Sequence, residues 1–522
     1  MRITNLHKAI QQAGDIDIIP IDLVEYNSAG RLLIIGNAHQ IQAVMPHLTN
    51  MDIMLACVDD EDKFRLKSKL IIRDKIQQIE GWMGRFKVQF KSQQLTVDLV
   101  LDLSDQPLLT TKVLPLGYFA PRDNAQVLAE TLQQLPELTG TFDKPQYFNY
   151  NASICAHSKR QLAGCSRCID ACPADAIIST GDTVTVNPAL CQGCGSCTLV
   201  CPSGAMTYAL PTLDSSLNRL RKMIKAWFEL ETTAPHILIY DLNNGQSLFN
   251  TIAEELPANV IIFSIEEIGA LGMAFWLSAL AYGAGSVTVW DAESHTDHNW
   301  LEVQQEITKT NQILLGLGYE EDVVNWFKGK DTGRLFEHIS TSNMLTHIPA
   351  AQFSGIDEKR RMITTALDHL HQHATNPVDV LTLSSDAAFG EIKVDKSACT
   401  LCHACVTVCP AGAVLDGNDK PQLNFIEDLC VQCGLCKTAC PENAIKLNPQ
   451  YLFNRVQARK KILLHDEPVF HCITCNEAFA TKKMIDTMID KLKTHAMFQG
   501  EALDRLKMCK DCRVKAMFNE VQ

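Results

Sequence analysis

Residues 399–410 read CTLCHACVTVCP, and residues 430–441 repeat the pattern as CVQCGLCKTACP. In each run two residues separate the first three cysteines, three residues precede the fourth, and a proline follows. This spacing lets one tight loop place three thiolates on three irons of a cube, whereas the fourth iron needs a thiolate from elsewhere. The two runs therefore predict two 4Fe–4S clusters, each taking its fourth ligand from the other run.

Exchange of the fourth ligand divides these eight cysteines into two sets. Zinc is the alternative metal, but zinc sites are built from pairs of cysteines and not from triplets. The first predicted set is Cys399, Cys402, Cys405 and Cys440, and the second is Cys430, Cys433, Cys436 and Cys409.

An earlier segment carries the same motif in an imperfect form. Its second half is complete and ends at Pro202, but in its first half Leu162 stands where the first ligand is expected. Either Cys155 reaches in across a longer loop, which costs little entropy, or the site lacks one iron and is a 3Fe–4S cluster. We favour Cys155, because a spare thiol beside a cluster would be reactive. The predicted sets are Cys155, Cys165, Cys168 and Cys201, and Cys191, Cys194, Cys197 and Cys172.

Two further CxxC pairs lie near the end of the sequence, at Cys472 and Cys475 and at Cys509 and Cys512. Paired knuckles of this kind suit tetrahedral zinc. A helix over Lys482–His495 is expected between them. We predict a zinc site; a fifth iron–sulfur cluster and four free thiols are the alternatives.

The chain divides into six segments around these motifs. Strand and helix patterns alternate in 211–350, which predicts a parallel sheet with helices on its faces. The fold class is therefore α+β and multidomain, with two ferredoxin-like modules flanking a βαβ domain and a zinc-ribbon-like end. The predicted segments are 1–150 (α+β), 151–210 (first module), 211–350 (α/β), 351–395 (connector), 396–450 (second module) and 451–522 (C-terminal CxxC domain).

Composition limits the environment and the partners. The 522 residues carry a net charge of −13, which argues against nucleic acid and anionic membranes as partners. Clustered cysteines, 21 in all, and a start without a signal peptide predict metal binding in the reducing cytoplasm. The uncharged stretch 268–290 is interrupted by glycines and flanked by acidic residues, so we interpret it as a buried helix and strand and expect no membrane insertion.

Other candidate residues favour structural roles. Cys57 stands alone and suits a small buried position. His295 and His298 follow a predicted strand in an acidic stretch that we interpret as a solvated loop, and His369 and His373 suit a surface helix. The sequence contains no nucleophile motif, phosphate-binding loop or dinucleotide fingerprint, so we expect no independent catalysis.

Several segments of the sequence carry a resemblance to known families. YFNYNASICAHSKRQLAGCSRCIDACPADAI (147–177), with CQGCGSCTLVCPSGA (191–205), resembles the cytosolic 4Fe–4S polyferredoxins associated with proteobacterial formate dehydrogenases. VDLVLDLSDQPLL (97–109), FHCITC (470–475) and KMCKDCR (507–513) extend the resemblance. It implies a Cys155-type ligand before a long loop, and electron transfer with formate dehydrogenase as partner.

The middle of the chain resembles a second family. Residues 236–295 are similar to the small iron–sulfur subunit of methyl-viologen-reducing hydrogenases, whose cysteines for a 2Fe–2S cluster are missing here, since none lies between Cys201 and Cys399. That segment is therefore expected to dock a partner or to space the two modules. For the whole chain we predict electron relay between a redox enzyme and an acceptor. An iron–sulfur maturation, assembly or redox-sensing factor is the alternative.

Overall fold

The N-terminal region combines a parallel sheet with antiparallel strands. The computed structural model describes residues 10–14, 21–48, 51–57, 70–122, 124–252, 255–292, 300–345, 348–356, 358–418 and 420–519. The five parallel strands lie in the spatial order Leu70–Ile72, Asp52–Cys57, Arg31–Gly36, Leu99–Asp102 and Tyr118–Phe119. The antiparallel strands are Ile76–Glu80, Phe86–Phe90 and Gln94–Val97, and Leu23–Ser28 paired with Gly140–Pro145; the helices are Ala38–Val44 and Ala125–Gln134.

Asp98 divides the β-rich stretch 95–103 into two strands. Residues before it pair in the antiparallel meander, and residues after it join the parallel sheet. The Asp98 carboxylate accepts hydrogen bonds from the backbone N–H groups of Ala29 and Arg31 and pairs with the Arg31 guanidinium at 2.6 Å. These contacts hold the pKa of Asp98 low, although burial acts in the opposite direction. A buried, paired carboxylate therefore lies between the end of one strand and the start of the next.

The middle region contains a four-stranded parallel sheet covered by helices. The strands lie in the order Val260–Ile265, His236–Asp241, Ser286–Asp291 and Val324–Lys328, and the helices are Leu213–Leu230, Leu242–Ile252, Met273–Ala281, Trp300–Gly316, Thr332–Thr341 and Lys359–Gln372. Met273–Ala281 is buried along its whole length, which agrees with the predicted buried helix. Within the described residues, no helix combines the length and the apolar character that a membrane crossing needs. The segment predicted as a connector contains Lys359–Gln372, whose buried side chains join the same core.

The two cysteine-rich segments have corresponding architecture. In each, a β-hairpin and a separate pair of strands enclose two short helices. The first has the strand pairs Phe148–Tyr150 with Met206–Tyr208, Ile177–Ser179 with Val184–Val186 and Ser158–Lys159 with Leu162–Ala163, and the helices Arg167–Asp170 and Ser196–Val200. The second has Gly390–Val394 and Val380–Thr382 on either side of Ile445–Leu452, the strands Val414–Gly417, Lys420–Phe425 and Ile462–Asp466, and the helices Ala404–Val408 and Leu435–Thr438.

The C-terminal region packs on the second cysteine-rich segment. It has the hairpin Val469–His471 with Ala478–Thr481 and the helices Arg455–Arg459, Lys482–Leu492, Glu501–Asp504 and Lys510–Asn519. Thr481 Oγ1 donates to the carbonyl of Thr400, and Lys483 Nζ donates to the carbonyl of Lys396 at 2.7 Å. The four-cysteine end of the chain therefore lies against the loop that begins at Cys399.

Candidate metal centres

Three complete cysteine runs share one loop geometry. In each, the backbone is left-handed on both sides of the second cysteine, with φ between 53° and 83°. Alternation of left-handed with ordinary residues curls the chain so that three successive cysteines face one interior, and a short helix then carries the third. The residues with positive φ are Gly193 and Gly195, Leu401 and His403, and Gln432 and Gly434.

The second module brings its cysteines together in the two sets that the spacing predicts. Burial raises the pKa of Cys405, and Cys399, Cys402 and Cys440 raise it further as close neighbours. Burial likewise raises the pKa of Cys436, with Cys430, Cys433 and Cys409 as its nearest thiols. Cys405 is the next neighbour of Cys436, so the two sets are adjacent.

The first module is arranged in the same way. Burial raises the pKa of Cys168, and Cys201, Cys165 and Cys155 follow as neighbours that raise it further. Burial also raises the pKa of Cys197 well above its usual value, and the adjacent thiols are Cys194, Cys191, Cys172 and then Cys168. The Cys155 thiol therefore lies with the thiols of Cys165 and Cys168, at the place where the sequence leaves two possibilities open.

A short hairpin explains how Cys155 reaches its neighbours. Leu162, which occupies the position of the expected first ligand, belongs to the strand pair Ser158–Lys159 with Leu162–Ala163. Next to this strand pair, Gly164 N–H donates to the carbonyl of His157, and Cys165 N–H donates to the carbonyl of Ala156 at 2.9 Å. These bonds place Cys155 across from Cys165, because its next residue in the chain is bonded directly to that cysteine.

Several cysteine sulfurs accept backbone hydrogen bonds. Ala176 N–H and Ala444 N–H each donate at 3.3 Å to the cysteine four residues earlier, Cys172 and Cys440, and Met206 N–H donates to Cys201 Sγ at 3.4 Å. Such donors stabilise a negatively charged sulfur. A metal ion binds the thiolate form of cysteine, because its positive charge compensates the charge on sulfur. This donor chemistry fits 4Fe–4S clusters in all four sets.

The two modules touch at the set that contains Cys155. A Cβ atom on Gly164 would lie 2.7 Å from Leu435 Cγ, so the loop before Cys165 packs directly on the helix that carries Cys436. Burial raises the pKa of Cys433, and Cys165 of the other module is among the thiols that raise it further. The sets beginning at Cys191, Cys155, Cys430 and Cys399 therefore follow one another in a row, in that order.

The outer end of this row is enclosed by other regions of the chain. Lys144 Nζ donates to the carbonyls of Ala189 and Cys191, and Tyr26 OH donates to the carbonyl of Ala189 at 2.7 Å. Gly269, in the loop after the strand Val260–Ile265, lies against the Cys194 carbonyl. The N-terminal and middle regions therefore hold the loop that begins at Cys191 from two sides.

The C-terminal cysteines converge on one point. The Sγ atoms of Cys472, Cys475, Cys509 and Cys512 all lie within 4.8 Å of one another, and 3.7 Å separates those of Cys475 and Cys509. A tetrahedral site with Zn–S bonds of about 2.3 Å places its sulfurs about 3.8 Å apart. Desolvation raises the pKa of Cys472, but hydrogen bonds from the backbone of Cys475 and Cys509 outweigh it and lower that pKa to about 6. The four sulfurs fit a single metal ion.

Comparison with known proteins agrees with the cysteine geometry. Residues 163–205 and residues 398–445 each match a family model described as a 4Fe–4S dicluster domain. No curated protein matches the chain.

The chain contains two 4Fe–4S ferredoxin-like domains. The match to the first dicluster domain begins at residue 163, so Cys155 lies outside it and its role depends on the geometry described above. The match to the second domain includes all eight of its predicted ligands.

Two cations between the dicluster domains were not singled out from the sequence. Lys359 and Arg360 open the helix Lys359–Gln372 and donate to backbone carbonyls of the first and the second dicluster domain, respectively. The sequence around them, EKRR at 358–361, is typical of a solvated helix start. No motif could have identified them, because their partners are distant in the chain.

Other candidates show no convergent site among the described residues. His369 Nε2 bonds the carbonyl of Pro349 at 2.6 Å, and its ring contacts that of His373. Cys57 ends the strand Asp52–Cys57. His295 and His298 lie outside the described residues.

Proposed function

We propose that this iron–sulfur protein holds four 4Fe–4S clusters and relays electrons between a redox enzyme and an acceptor. The observation that carries the proposal is the contact between the two dicluster domains at Gly164 and Leu435, with Cys165 near enough to Cys433 to raise its pKa. Two ferredoxin domains that work independently would not need their inner loops packed together. A relay needs this packing, because electron transfer requires the clusters to lie close to one another.

The residues of the chain have three tasks in this function. Sixteen thiolates hold the clusters, in the four sets named above. A bound 4Fe–4S cluster exchanges one electron at a time at a potential set by its charge, its hydrogen bonds and its exposure. The backbone donors to Cys172, Cys201 and Cys440 stabilise negative charge on sulfur, and the packed regions around the loop of Cys191 exclude water there.

Iron and acid-labile sulfide analysis of the anaerobically purified chain tests the number of clusters. Four 4Fe–4S clusters require about sixteen irons per chain, with an equal amount of sulfide. A reproducible value near eight irons would leave one dicluster domain unfilled and would contradict the four-cluster proposal.

The partner is proposed from the sequence resemblance, and it is a formate dehydrogenase. Stopped-flow reduction of the protein by formate with that enzyme, compared with formate alone, tests the relay. Reduction only in the presence of the enzyme is expected, at a rate that falls as salt rises, because the chain carries a net charge of −13. Reduction by formate alone would instead make the chain a catalyst.

The alternative role, in cluster assembly or redox sensing, is separated by the same experiment. Clusters that are intact and reducible by dithionite, but are not reduced by the enzyme with formate, would favour it.

Clustered thiols of this number favour a reducing compartment, and we propose the cytoplasm.

We propose zinc for the C-terminal site. Four thiols whose sulfurs lie within 4.8 Å of one another suit one ion, whereas a cube places each thiolate on a different iron and spreads the sulfurs further apart. The site lies against the loop that begins at Cys399, so its proposed role is to fix the C-terminal region there.

A further inference from the structure

Lys359 binds the inner edge of the first dicluster domain. Its Nζ donates to the carbonyls of Thr198 and Leu199 at 2.7 Å and of Cys201 at 3.2 Å. All three partners are acceptors, and a neutral amine has only two hydrogens to donate. Three such bonds match the three hydrogens of the ammonium form. Burial lowers the pKa of Lys359, whereas Glu306 and Cys201 nearby raise it.

Arg360, the next residue, binds the inner edge of the second domain. Its Nη2 donates to the carbonyl of Cys430 at 2.7 Å, its Nε to that of Asp428 at 3.0 Å and its Nη1 to that of Ala388 at 2.7 Å. The guanidinium also lies over the Phe389 ring, 4.4 Å from the centroid. Three of the five N–H donors of the guanidinium are thus bound to backbone carbonyls, and the ring packs against the group as well.

Lys359 and Arg360 each lie beside one of the two inner cysteine sets. Cys201 belongs to the set of Cys155, and Cys430 belongs to the set of Cys433. These two sets adjoin at the contact of Gly164 with Leu435. Because Lys359 and Arg360 are adjacent in one helix, a single rigid element places one positive charge at each inner set.

We propose that Lys359 and Arg360 are positioning and tuning residues that hold the two dicluster domains together and favour reduction of the two inner clusters. This inference rests on the proposed four-cluster relay. Reduction adds one negative charge to a cluster, and a fixed cation nearby lowers the free energy of the reduced form.

Redox titration followed by electron paramagnetic resonance tests the tuning role in the full-length holoprotein. Lys359→Gln and Arg360→Gln keep hydrogen-bond donors but remove the charge. Each is expected to lower the reduction equilibrium of one cluster about tenfold, which is about 59 mV for a one-electron couple. Lys359→Arg and Arg360→Lys keep the charge and should restore the potentials, whereas a purely structural role predicts no such rescue.

Arg219→Gln is the matched control. Arg219 also donates to a carbonyl, that of Ser264 at 2.6 Å, and also lies over a phenylalanine ring, Phe263 at 4.6 Å, but these contacts are within the middle region. Its loss should leave all cluster potentials unchanged. An equal shift in this variant would mean that loss of any cation acts on the clusters, and it would overturn the assignment.

A variant that removes a negative charge near Lys359 serves as a second test if the variants that remove a positive charge do not fold. Glu306 lies close enough to interact with the Lys359 charge, as do Arg167 and Lys309, and it lines a cavity of about 280 Å³ that has room for glutamine. Glu306→Gln should raise the potential of the cluster beside Lys359. Unshifted potentials in every variant, with iron content and signals intact, would refute the tuning role, whereas missing signals in the wild type would refute the relay itself.

Discussion

Gly195 and Gly269 meet backbone to backbone. A Cβ atom on Gly195 would lie 2.3 Å from the carbonyl carbon of Gly269, and one on Gly269 would lie 2.1 Å from the carbonyl oxygen of Cys194. The loop that begins at Cys191 therefore approaches the middle region as closely as two backbone segments can. Only glycine at both positions permits this approach.

Gly195→Ala and Gly269→Ala should each displace the loop that carries Cys194 and Cys197. We expect destabilisation on the order of 2 kcal/mol or more, since a Cβ must push backbone aside, together with loss of about four irons. Iron analysis and thermal unfolding are the measurements.

Gly181→Ala is the control for this pair. Gly181 has φ +89°, close to the +77° of Gly195, but a Cβ there meets nothing within 4 Å. It shares the backbone strain without the clash, so its iron content should equal that of the wild type. Iron loss in Gly181→Ala as large as in Gly195→Ala would assign the effect to strain alone.

Cys155→Ala should convert one 4Fe–4S cluster to a 3Fe–4S cluster or abolish it. The Cys155 thiol lies with those of Cys165, Cys168 and Cys201, so its loss removes one of four ligands. Electron paramagnetic resonance and iron content report the change, and Cys57→Ala serves as the control thiol. A spectrum that Cys155→Ala leaves unaltered would show that the native site has three irons.

Cys475→Ser should remove zinc from the full-length protein and leave its iron in place. A thiolate zinc site contributes on the order of 10 kcal/mol to the folding of the residues that it joins. We therefore expect residues around Lys482–Leu492 to gain protease sensitivity. Metal analysis decides the identity of the ion: iron at this site in the wild type, with its thiolate absorption and no zinc, would contradict the prediction.

His236 should make the protein sensitive to mild acid. It is fully buried between strands, with Nδ1 2.6 Å from Ser286 Oγ, and desolvation, aided by His338, lowers its pKa to about 3. The unfolded chain binds a proton at its ordinary pKa of about 6.5, so folding stability is lost as pH falls from that value toward 3. At pH 5 the loss is about 2 kcal/mol.

His236→Asn should weaken this acid sensitivity. Thermal midpoints at pH 7.5 and pH 5 would be compared for wild type and variant, with the exposed His39→Asn as the surface control. Equal midpoint losses in wild type and His236→Asn would show that other groups govern the acid response.

The metal-binding cysteines could be predicted because their spacing is itself the local geometry. The residues with positive φ around Cys194, Cys402 and Cys433 occupy the same places in each run, although two of the three runs use side chains such as Leu401 and Gln432 there. Asp98, in contrast, breaks a strand through a pair with Arg31, and a single run of apolar residues does not reveal that distant partner.

Contacts between distant regions of the chain could not be predicted from the sequence. Gly164 and Leu435 belong to copies of one motif, but their contact depends on how the whole middle region folds between them. Lys359 is a stronger case: a lysine at a helix start is typical of a solvated surface, and only the fold turns it toward Cys201. The cysteine spacing therefore reveals the candidate ligands, but it does not reveal the order in which the four cysteine sets lie in space.

The contact of Gly164 with Leu435 also has a consequence for biosynthesis. On the ribosome, the loop of Cys165 emerges long before the helix of Cys436 is translated, and the whole middle region is made between them. The inner face of the first dicluster domain therefore stays uncovered until the second half of the chain has been made. Any cofactor inserted through that face would have to enter before the two halves dock.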